Sequence, residues 1–141
     1  MRIYYVFDIK DEYVKLYGDS PNSLYNVLHQ LHYLRKKDID YGFNMFKQLT
    51  NKIDNVNIDK NIFLKMHNKM TYVKKSENHI INNLYKDEVS VLKAKRAYIL
   101  INCNKNYTEF FNILMQENAN YFVCDFNNND YFFLSSIKML V

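Results

Sequence analysis

The amino-terminal stretch of this chain constrains its fold most, because residues 3–9 have the alternation of a β-strand. Aromatic and β-branched side chains favour a pleated strand, in which successive side chains point to opposite faces. One face carries Ile3, Tyr5, Phe7 and Ile9, and the other carries Tyr4, Val6 and Asp8. The sequence therefore predicts a strand at the start of the chain.

A short helix is predicted directly after this strand, because the period of the sequence changes. Asp11 and Glu12 suit a first helical turn, where negative charge meets the positive end of the helix dipole. Gly18 suits the left-handed conformation that often ends a helix. Tyr13 and Tyr17 are four residues apart, so they share one face of this helix. The two tyrosines either pack against the protein's own core or contact a binding partner.

Two further helices are predicted before residue 54. Ser20 and Pro21 suit the N-cap and the first position of a helix that continues to about residue 35. Its apolar stripe consists of Leu24, Val27, Leu28, Leu31 and Leu34. The next helix begins near Asp38, and Gly42 should weaken its first turns by about 1 kcal/mol relative to Ala. Its apolar side consists of Ile39, Phe43, Phe46, Leu49 and Ile53.

The middle of the chain gives weaker signals. Residues 54–61 are polar and rich in Asn and Asp, which predicts a loop. Residues 62–73 fit both strand and helix periods, and we favour extended structure there. Ser76 suits the cap of another helix that carries Ile80, Ile81 and Leu84. Residues 85–92 either continue that helix or form a connector.

The last third of the chain predicts strands with one helix between them. Residues 97–103 form an apolar run of strand length, and Asn106 with Glu109 fits a loose capping box that opens a helix. Residues 121–126 and 131–134 predict an antiparallel strand pair around an Asn-rich turn. With the first strand, these elements predict one α/β (α+β) domain over residues 1–141. Its sheet should be mixed, have four or five strands, and pack against several helices.

Composition limits the class of protein. The 48% hydrophobic and 16% aromatic shares are those of a globular domain. No apolar run approaches the roughly 20 residues that cross a bilayer, and the start lacks a signal-peptide pattern, so we expect a cytoplasmic protein. Cys103 and Cys124 lie in apolar runs and should be free buried thiols. The net charge of +4 comes from short clusters at 35–37, 74–75 and 93–96, which favours solvated surface over a nucleic-acid-binding face.

No motif for catalysis, a metal or a cofactor is found in the sequence. Phosphate-binding loops need closely spaced glycines, and the chain has only two glycines. His29 and His32 share a helix face but lack the further ligands of a zinc site. Asp8 and Asp125 would approach each other only on neighbouring strands, and hydrogen bonding explains such residues better than paired catalysis. Neither cysteine has an adjacent histidine, so we expect no enzymatic activity.

The aromatic content is the remaining functional signal. Thirteen tyrosines and ten phenylalanines exceed what one small core usually holds, so some should reach the surface. Tyrosine concentrates in protein interfaces because it offers apolar area and a hydroxyl at low entropic cost. The same rings stack on bases, so a nucleic-acid-binding accessory protein with scattered basic residues is the alternative. Steep salt dependence would distinguish phosphate contact from interface anchoring.

Residues 4–18 and 97–134, the latter including the aromatic stretch 121–134, resemble the SirA family of sporulation inhibitors of replication from spore-forming Firmicutes. The resemblance implies a small, non-enzymatic protein without a cofactor. It implies binding to the amino-terminal domain of the replication initiator DnaA, which holds back initiation at the origin. It implies no direct contact with nucleic acid, a membrane or a small-molecule substrate.

The resemblance also implies which residues contact the initiator. In SirA-like proteins an aromatic pair on the first short helix faces the partner, and Tyr13 and Tyr17 occupy those positions here. The helix near residues 46–53 should supply the rest of the surface, with Gln48 as a polar contact. A further aromatic contact of the family falls near Asn51, where this sequence departs from the pattern. Lys10 would lie at the rim, as would Lys15.

Overall fold

A computed structural model describes residues 1–34 and 38–137 of the chain. The basic cluster at 35–37 therefore lies outside the described residues. In chain order the elements are β1 (Arg2–Asp8), α1 (Asp11–Tyr17), α2 (Pro21–His32), α3 (Ile39–Leu49), α4 (Asn55–Met66), β2 (Tyr72–Lys75), β3 (Asn78–Asn83), β4 (Glu88–Ala94), β5 (Ile99–Cys103), α5 (Glu109–Leu114), β6 (Tyr121–Asp125) and β7 (Asp130–Phe133). A short 3₁₀ turn, Leu134–Ser136, follows β7. The predicted first strand, first three helices and last strand pair are all present.

The strands form one sheet in the order β2-β3-β4-β5-β1-β6-β7. Every neighbouring pair in this sheet is antiparallel. The α+β class is therefore confirmed, whereas the prediction of a mixed sheet with four or five strands is wrong. The sheet is larger because residues 72–94 form three consecutive strands, where the sequence predicted extended structure, a helix and a connector.

The first strand lies inside the sheet and pairs on both sides with strands from the last third of the chain. Tyr5 is opposite Leu100 of β5 and opposite Cys124 of β6. Because β5 and β6 are both antiparallel to β1, they run parallel to each other with β1 between them. The predicted strand, helix and strand in this region exist, but α5 joins two strands that are not neighbours.

Helices cover both faces of β1 and β6, and this arrangement creates two hydrophobic clusters. The first cluster contains Tyr4 and Val6 of β1 and packs beneath α4 and α5. The second cluster contains Phe7 of β1 and packs beneath α2, with α1 and the end of α3 at its margin. All five residues of β6 are buried, whereas β4 alternates between buried and partly exposed positions. The alternation predicted for β1 thus serves two cores, one on each face.

The predicted loop at 54–61 is the first part of α4. Asp54 caps this helix, since its Oδ1 accepts a hydrogen bond from the Asn57 backbone N–H at 3.1 Å. Only Ile58, Ile62 and Met66 are buried, at spacings of four residues. The remaining positions are half-buried or exposed and mostly polar, so the helix has a narrow apolar stripe in a sequence that otherwise looks like a loop.

Three local predictions about helix ends are wrong. Ser76 does not cap a helix but lies at φ 55° in the turn between β2 and β3. Thr108, rather than Asn106, caps α5 and accepts a hydrogen bond from the Phe110 N–H at 3.3 Å. Gly18 has φ −57° and ψ −37°, so α1 ends without a left-handed glycine.

Gly42 allows α2 and α3 to approach closely. A Cβ atom at Gly42 would lie 1.9 Å from Cδ1 of Leu34 and 3.5 Å from Cδ2 of Leu31. The glycine costs helix propensity, as the sequence predicted, but it leaves room for the end of the Leu34 side chain, which follows α2.

Candidate interaction surface

The outward face of α3 carries large apolar side chains. Tyr41 is 70% exposed and Met45 is 37% exposed, and Gln48 is exposed as well. These three residues are four and three positions apart, so they share one face of the helix. Gly42 and Leu49 are buried on an adjacent side, about a quarter of a turn around the helix. The predicted partner residue Gln48 therefore belongs to an exposed stripe with an aromatic and an apolar neighbour.

The apolar side predicted for α3 is only partly correct. Leu49 and Ile53 are buried, and Phe46 packs against the second cluster. Ile39 and Phe43, however, are 50% and 56% exposed. The helix contacts α2 through the narrow line that Gly42 opens, so residues at the edges of the predicted stripe stay in contact with solvent.

The first helix lies on the surface, and none of its residues is fully buried. Tyr13 and Tyr17 are half-buried and pack against the second hydrophobic cluster. Leu16, on the same helix, is 66% exposed. Each tyrosine ring thus supports its own fold and also presents part of its area to solvent, which combines the two alternatives left open by the sequence.

Backbone hydrogen bonds join the start of α1 to the end of α3. The Lys10 N–H donates to the Leu49 carbonyl oxygen at 3.1 Å, and the Asn51 N–H donates to the Asp8 carbonyl oxygen at 2.8 Å. Lys10 is half-buried at the N-cap of α1, and Asn51 is exposed just after α3. We call Lys10, Tyr13, Leu16, Tyr17, Tyr41, Met45 and Gln48 the α1–α3 surface. Its two helices are held together at the ends where Lys10 and Gln48 lie.

An apolar cavity of about 440 Å³ lies where α2 and α3 meet the sheet. Its walls include Tyr5 and Phe7 of β1, His32 of α2, and Phe43 and Phe46 of α3. His32 stacks on Phe126 with ring centroids 4.5 Å apart and planes at 13°. This histidine therefore packs against an aromatic ring at the edge of the cavity.

The ionisable groups that the sequence offered for chemistry are engaged elsewhere. Asp8 lies opposite Tyr121, so Asp8 and Asp125 are at different ends of the β1–β6 pair. Oδ1 of Asp8 accepts from the Asn120 N–H at 3.3 Å, and Oδ2 of Asp125 accepts from the Asn128 side-chain amide at 2.7 Å. Both cysteines are free and buried, as predicted. Burial raises the pKa of the Cys124 thiol, which keeps it protonated and unreactive.

A buried histidine that the sequence did not single out joins α4 to the β2–β3 hairpin. His79 is fully buried; its Nδ1 lies 2.7 Å from the Tyr72 hydroxyl and its Nε2 lies 2.8 Å from Oδ1 of Asp59. A neutral imidazole satisfies both partners, accepting at Nδ1 and donating from Nε2. Burial lowers the pKa of His79, and the hydrogen bond to Asp59 opposes that shift only in part. This network is structural and lies outside the α1–α3 surface.

Within residues 1–34 and 38–137, no helix is both long and apolar enough to span a bilayer. In the same part of the chain, no group of three or more His, Cys, Asp or Glu side chains is placed to hold a metal ion.

A family model described as sporulation inhibitor of replication protein SirA matches residues 2–138. The chain belongs to the SirA family. The match extends across the middle of the chain, where the resemblance in the sequence alone was weak. The family description is that of a regulator that inhibits replication during sporulation. No curated protein matches the chain.

In this SirA-family chain, the sequence-predicted contact residues lie on two joined elements, but the sequence did not identify the whole surface. Leu16, Tyr41 and Met45 were not singled out. A signal for Tyr41 and Met45 was present, because they share the helical spacing of Gln48 and lie outside the apolar side predicted for α3. The spacing of Leu16 offered no such signal, since it adjoins the two tyrosines on a helix of only seven residues.

Proposed function

We propose that this SirA-family chain binds the amino-terminal domain of the replication initiator DnaA through the α1–α3 surface and so blocks initiation during sporulation. In this proposal the protein acts in the cytoplasm by occupying a surface, with no chemistry of its own. The observation that carries the proposal is the exposed stripe of Tyr41, Met45 and Gln48 on α3, a helix whose end is hydrogen-bonded to the start of α1, in a family described as replication inhibitors.

The proposed surface has the physical character of a protein interface. Aromatic and Met side chains are enriched at interface centres, and partly buried tyrosines lose little entropy on binding because their own fold already orients them. Tyr13 and Tyr17 are oriented in this way by the second hydrophobic cluster. Gln48 adds a polar group that can hydrogen-bond to a partner.

The proposal is tested by titrating the purified DnaA amino-terminal domain with four single variants: Tyr13→Ala, Tyr17→Ala, Tyr41→Ala and Gln48→Ala. We expect each tyrosine variant to weaken binding by about 2 kcal/mol, which is the usual hot-spot scale and corresponds to roughly 30-fold in Kd. Gln48→Ala should cost about 1 kcal/mol, the net contribution of one hydrogen bond.

Tyr85→Ala is the matched control, because Tyr85 is 98% exposed in the turn between β3 and β4. It should bind like the wild type. Since Tyr13 and Tyr17 also pack against the core, the unfolding midpoint of each variant is measured alongside its affinity. Wild-type affinity in all four variants, or no binding by the wild type, would refute the proposal.

A further inference from the structure

A second cavity, of about 460 Å³, lies at the carboxyl end of α3. Phe43 and Phe46 line both this cavity and the apolar cavity beside the sheet. Lys10, a member of the α1–α3 surface, also lines it. The second cavity therefore adjoins the α1–α3 surface, and α3 contributes residues to both.

Four cationic side chains surround this second cavity, which we call the basic cavity. Lys10 lies between β1 and α1, Lys47 in α3, Lys52 after α3, and Arg96 in the turn between β4 and β5. Among the described residues, no acidic side chain lines the cavity. Nor does any of the four cations form an ion pair within residues 1–34 and 38–137. Like charges around one concavity produce a positive potential that favours an anionic occupant.

The four cation-bearing segments are fixed to one another by the backbone. Besides the bonds from Lys10 to Leu49 and from Asn51 to Asp8, the Ile53 N–H donates to the Arg96 carbonyl oxygen at 2.7 Å. The Lys47 Nζ atom lies 4.3 Å from the centre of the Phe43 ring, which orients the ammonium group over an aromatic face. The cations are thus brought together before any ligand binds, which lowers the entropic cost of binding.

The lining of the basic cavity is both apolar and charged. The rings of Phe43 and Phe46 provide apolar wall area, and Lys10, Lys47, Lys52 and Arg96 provide positive charge. Such a site suits an apolar side chain flanked by carboxylates. A nucleic-acid strand would instead need cations arranged in a row along a surface, whereas these four surround a single concavity.

We infer that the basic cavity receives an acidic segment of the protein partner, with an apolar side chain against Phe43 and Phe46 and carboxylates facing Lys10, Lys47, Lys52 and Arg96. This inference rests on the proposed function and adds the chemistry of the patch that the partner must present. It also predicts that association is accelerated by charge, because complementary potentials mainly raise the rate of encounter.

The test compares two double charge reversals by surface plasmon resonance on the immobilised DnaA amino-terminal domain. Lys47→Glu with Lys52→Glu reverses two cavity charges, and Lys60→Glu with Lys86→Glu reverses two exposed lysines elsewhere, with the same change in net charge. We expect the cavity variant to lower the association rate on the order of tenfold and the control to change it less than about twofold. Raising NaCl from about 0.1 M to about 1 M, which shortens the screening length from about 10 Å to about 3 Å, should remove most of that difference.

The outcomes separate the inference from the proposed function. No binding by the wild type would overturn both. Wild-type binding with equal rates for the cavity variant at each salt concentration would overturn the inference and leave the proposed function standing. Equal slowing of association by both double variants would show that only the overall charge of the protein matters. That result would also overturn the inference. A single-stranded DNA oligonucleotide serves as a second probe, and specific loss of its binding in the cavity variant, with partner binding unchanged, would favour a nucleic-acid site instead.

Discussion

Replacing Glu88 should destabilise the protein strongly, because its buried carboxylate joins β4 to the start of α5. Glu88 is 6% exposed, and its Oε2 atom accepts hydrogen bonds from the Ser90 hydroxyl at 2.5 Å and the Thr108 hydroxyl at 2.8 Å. The Glu109 backbone N–H lies 3.3 Å from the same oxygen. Ser90 and Thr108 are themselves fully buried. Without Glu88, the Thr108 hydroxyl loses this acceptor, and the Ser90 hydroxyl keeps only the weak acceptor at the Cys103 sulfur, 3.2 Å away.

The magnitude follows from the two hydroxyl bonds. A hydrogen bond to a charged group contributes about 1.5–3 kcal/mol, and a buried donor left without its acceptor costs a similar amount. Taking the lower value for each hydroxyl gives a loss of about 3 kcal/mol in Glu88→Ala. Glu88→Gln keeps one oxygen that accepts from both hydroxyls. Each bond then falls from about 1.5 kcal/mol for a charged acceptor to about 1 kcal/mol for a neutral one, so the total loss should be only about 1 kcal/mol.

The free energy of unfolding is measured by urea denaturation with circular dichroism. Glu77→Ala is the matched control, because Glu77 is exposed and forms only a surface ion pair with Lys93 at 3.4 Å. That control should change the unfolding free energy by less than about 1 kcal/mol. If Glu88→Ala is as stable as Glu77→Ala, the carboxylate does not hold β4 and α5 together. Should Glu88→Ala fail to fold, the comparison of Glu88→Gln with Glu77→Ala carries the same test.

Two further predictions concern α3 and the buried histidine. Gly42→Val should lower the unfolding free energy by about 1 kcal/mol, the lower end of the range for overpacking, because the atom it meets is the free end of the Leu34 side chain, which can turn aside. Urea denaturation that shows no loss would contradict the close approach of Gly42 to Leu34. Burial lowers the pKa of His79 in the folded state, so the unfolded chain binds the proton more readily. The contribution of His79 to the unfolding free energy is therefore fully present above the unfolded pKa of about 6.5. It falls as the pH drops below that value. Denaturation across this range should show less pH dependence in His79→Gln than in the wild type, and equal slopes would contradict the assignment.

The parts of the fold that the sequence predicted correctly are those where apolar residues occupy the buried positions. The stripe of α2 and both faces of β1 follow that rule, and both elements form as predicted. The strand β4 breaks it, because Glu88 and Ser90 occupy its buried positions together with Leu92 and Ala94. The Ser90 and Thr108 hydroxyls both donate to Glu88. Because Thr108 is distant in sequence, no local pattern reveals the strand.

For the site, the resemblance to a family implied Tyr13, Tyr17, Lys10 and Gln48 as contact residues, and this stays a prediction. Helical spacing placed the two tyrosines on one face, and the structure has both on α1, packed against the same cluster. Nothing in the local sequence places Arg96 beside Lys10, because their proximity depends on sheet order and on the backbone bond from Ile53 to Arg96. The basic cavity therefore depends on the tertiary structure, whereas the stripe on α3 follows from residue spacing within one helix.

The central position of β1 has a consequence for synthesis of the protein on the ribosome. Its two pairing partners, β5 and β6, are translated roughly a hundred residues after it. Until those residues emerge, the first strand has no neighbouring strand of the sheet, although backbone bonds to Leu49 and Asn51 already join its end to α3. The sheet that supports α1 and α3 is therefore incomplete through most of translation, and inhibitory activity should arise only when the polypeptide is nearly finished.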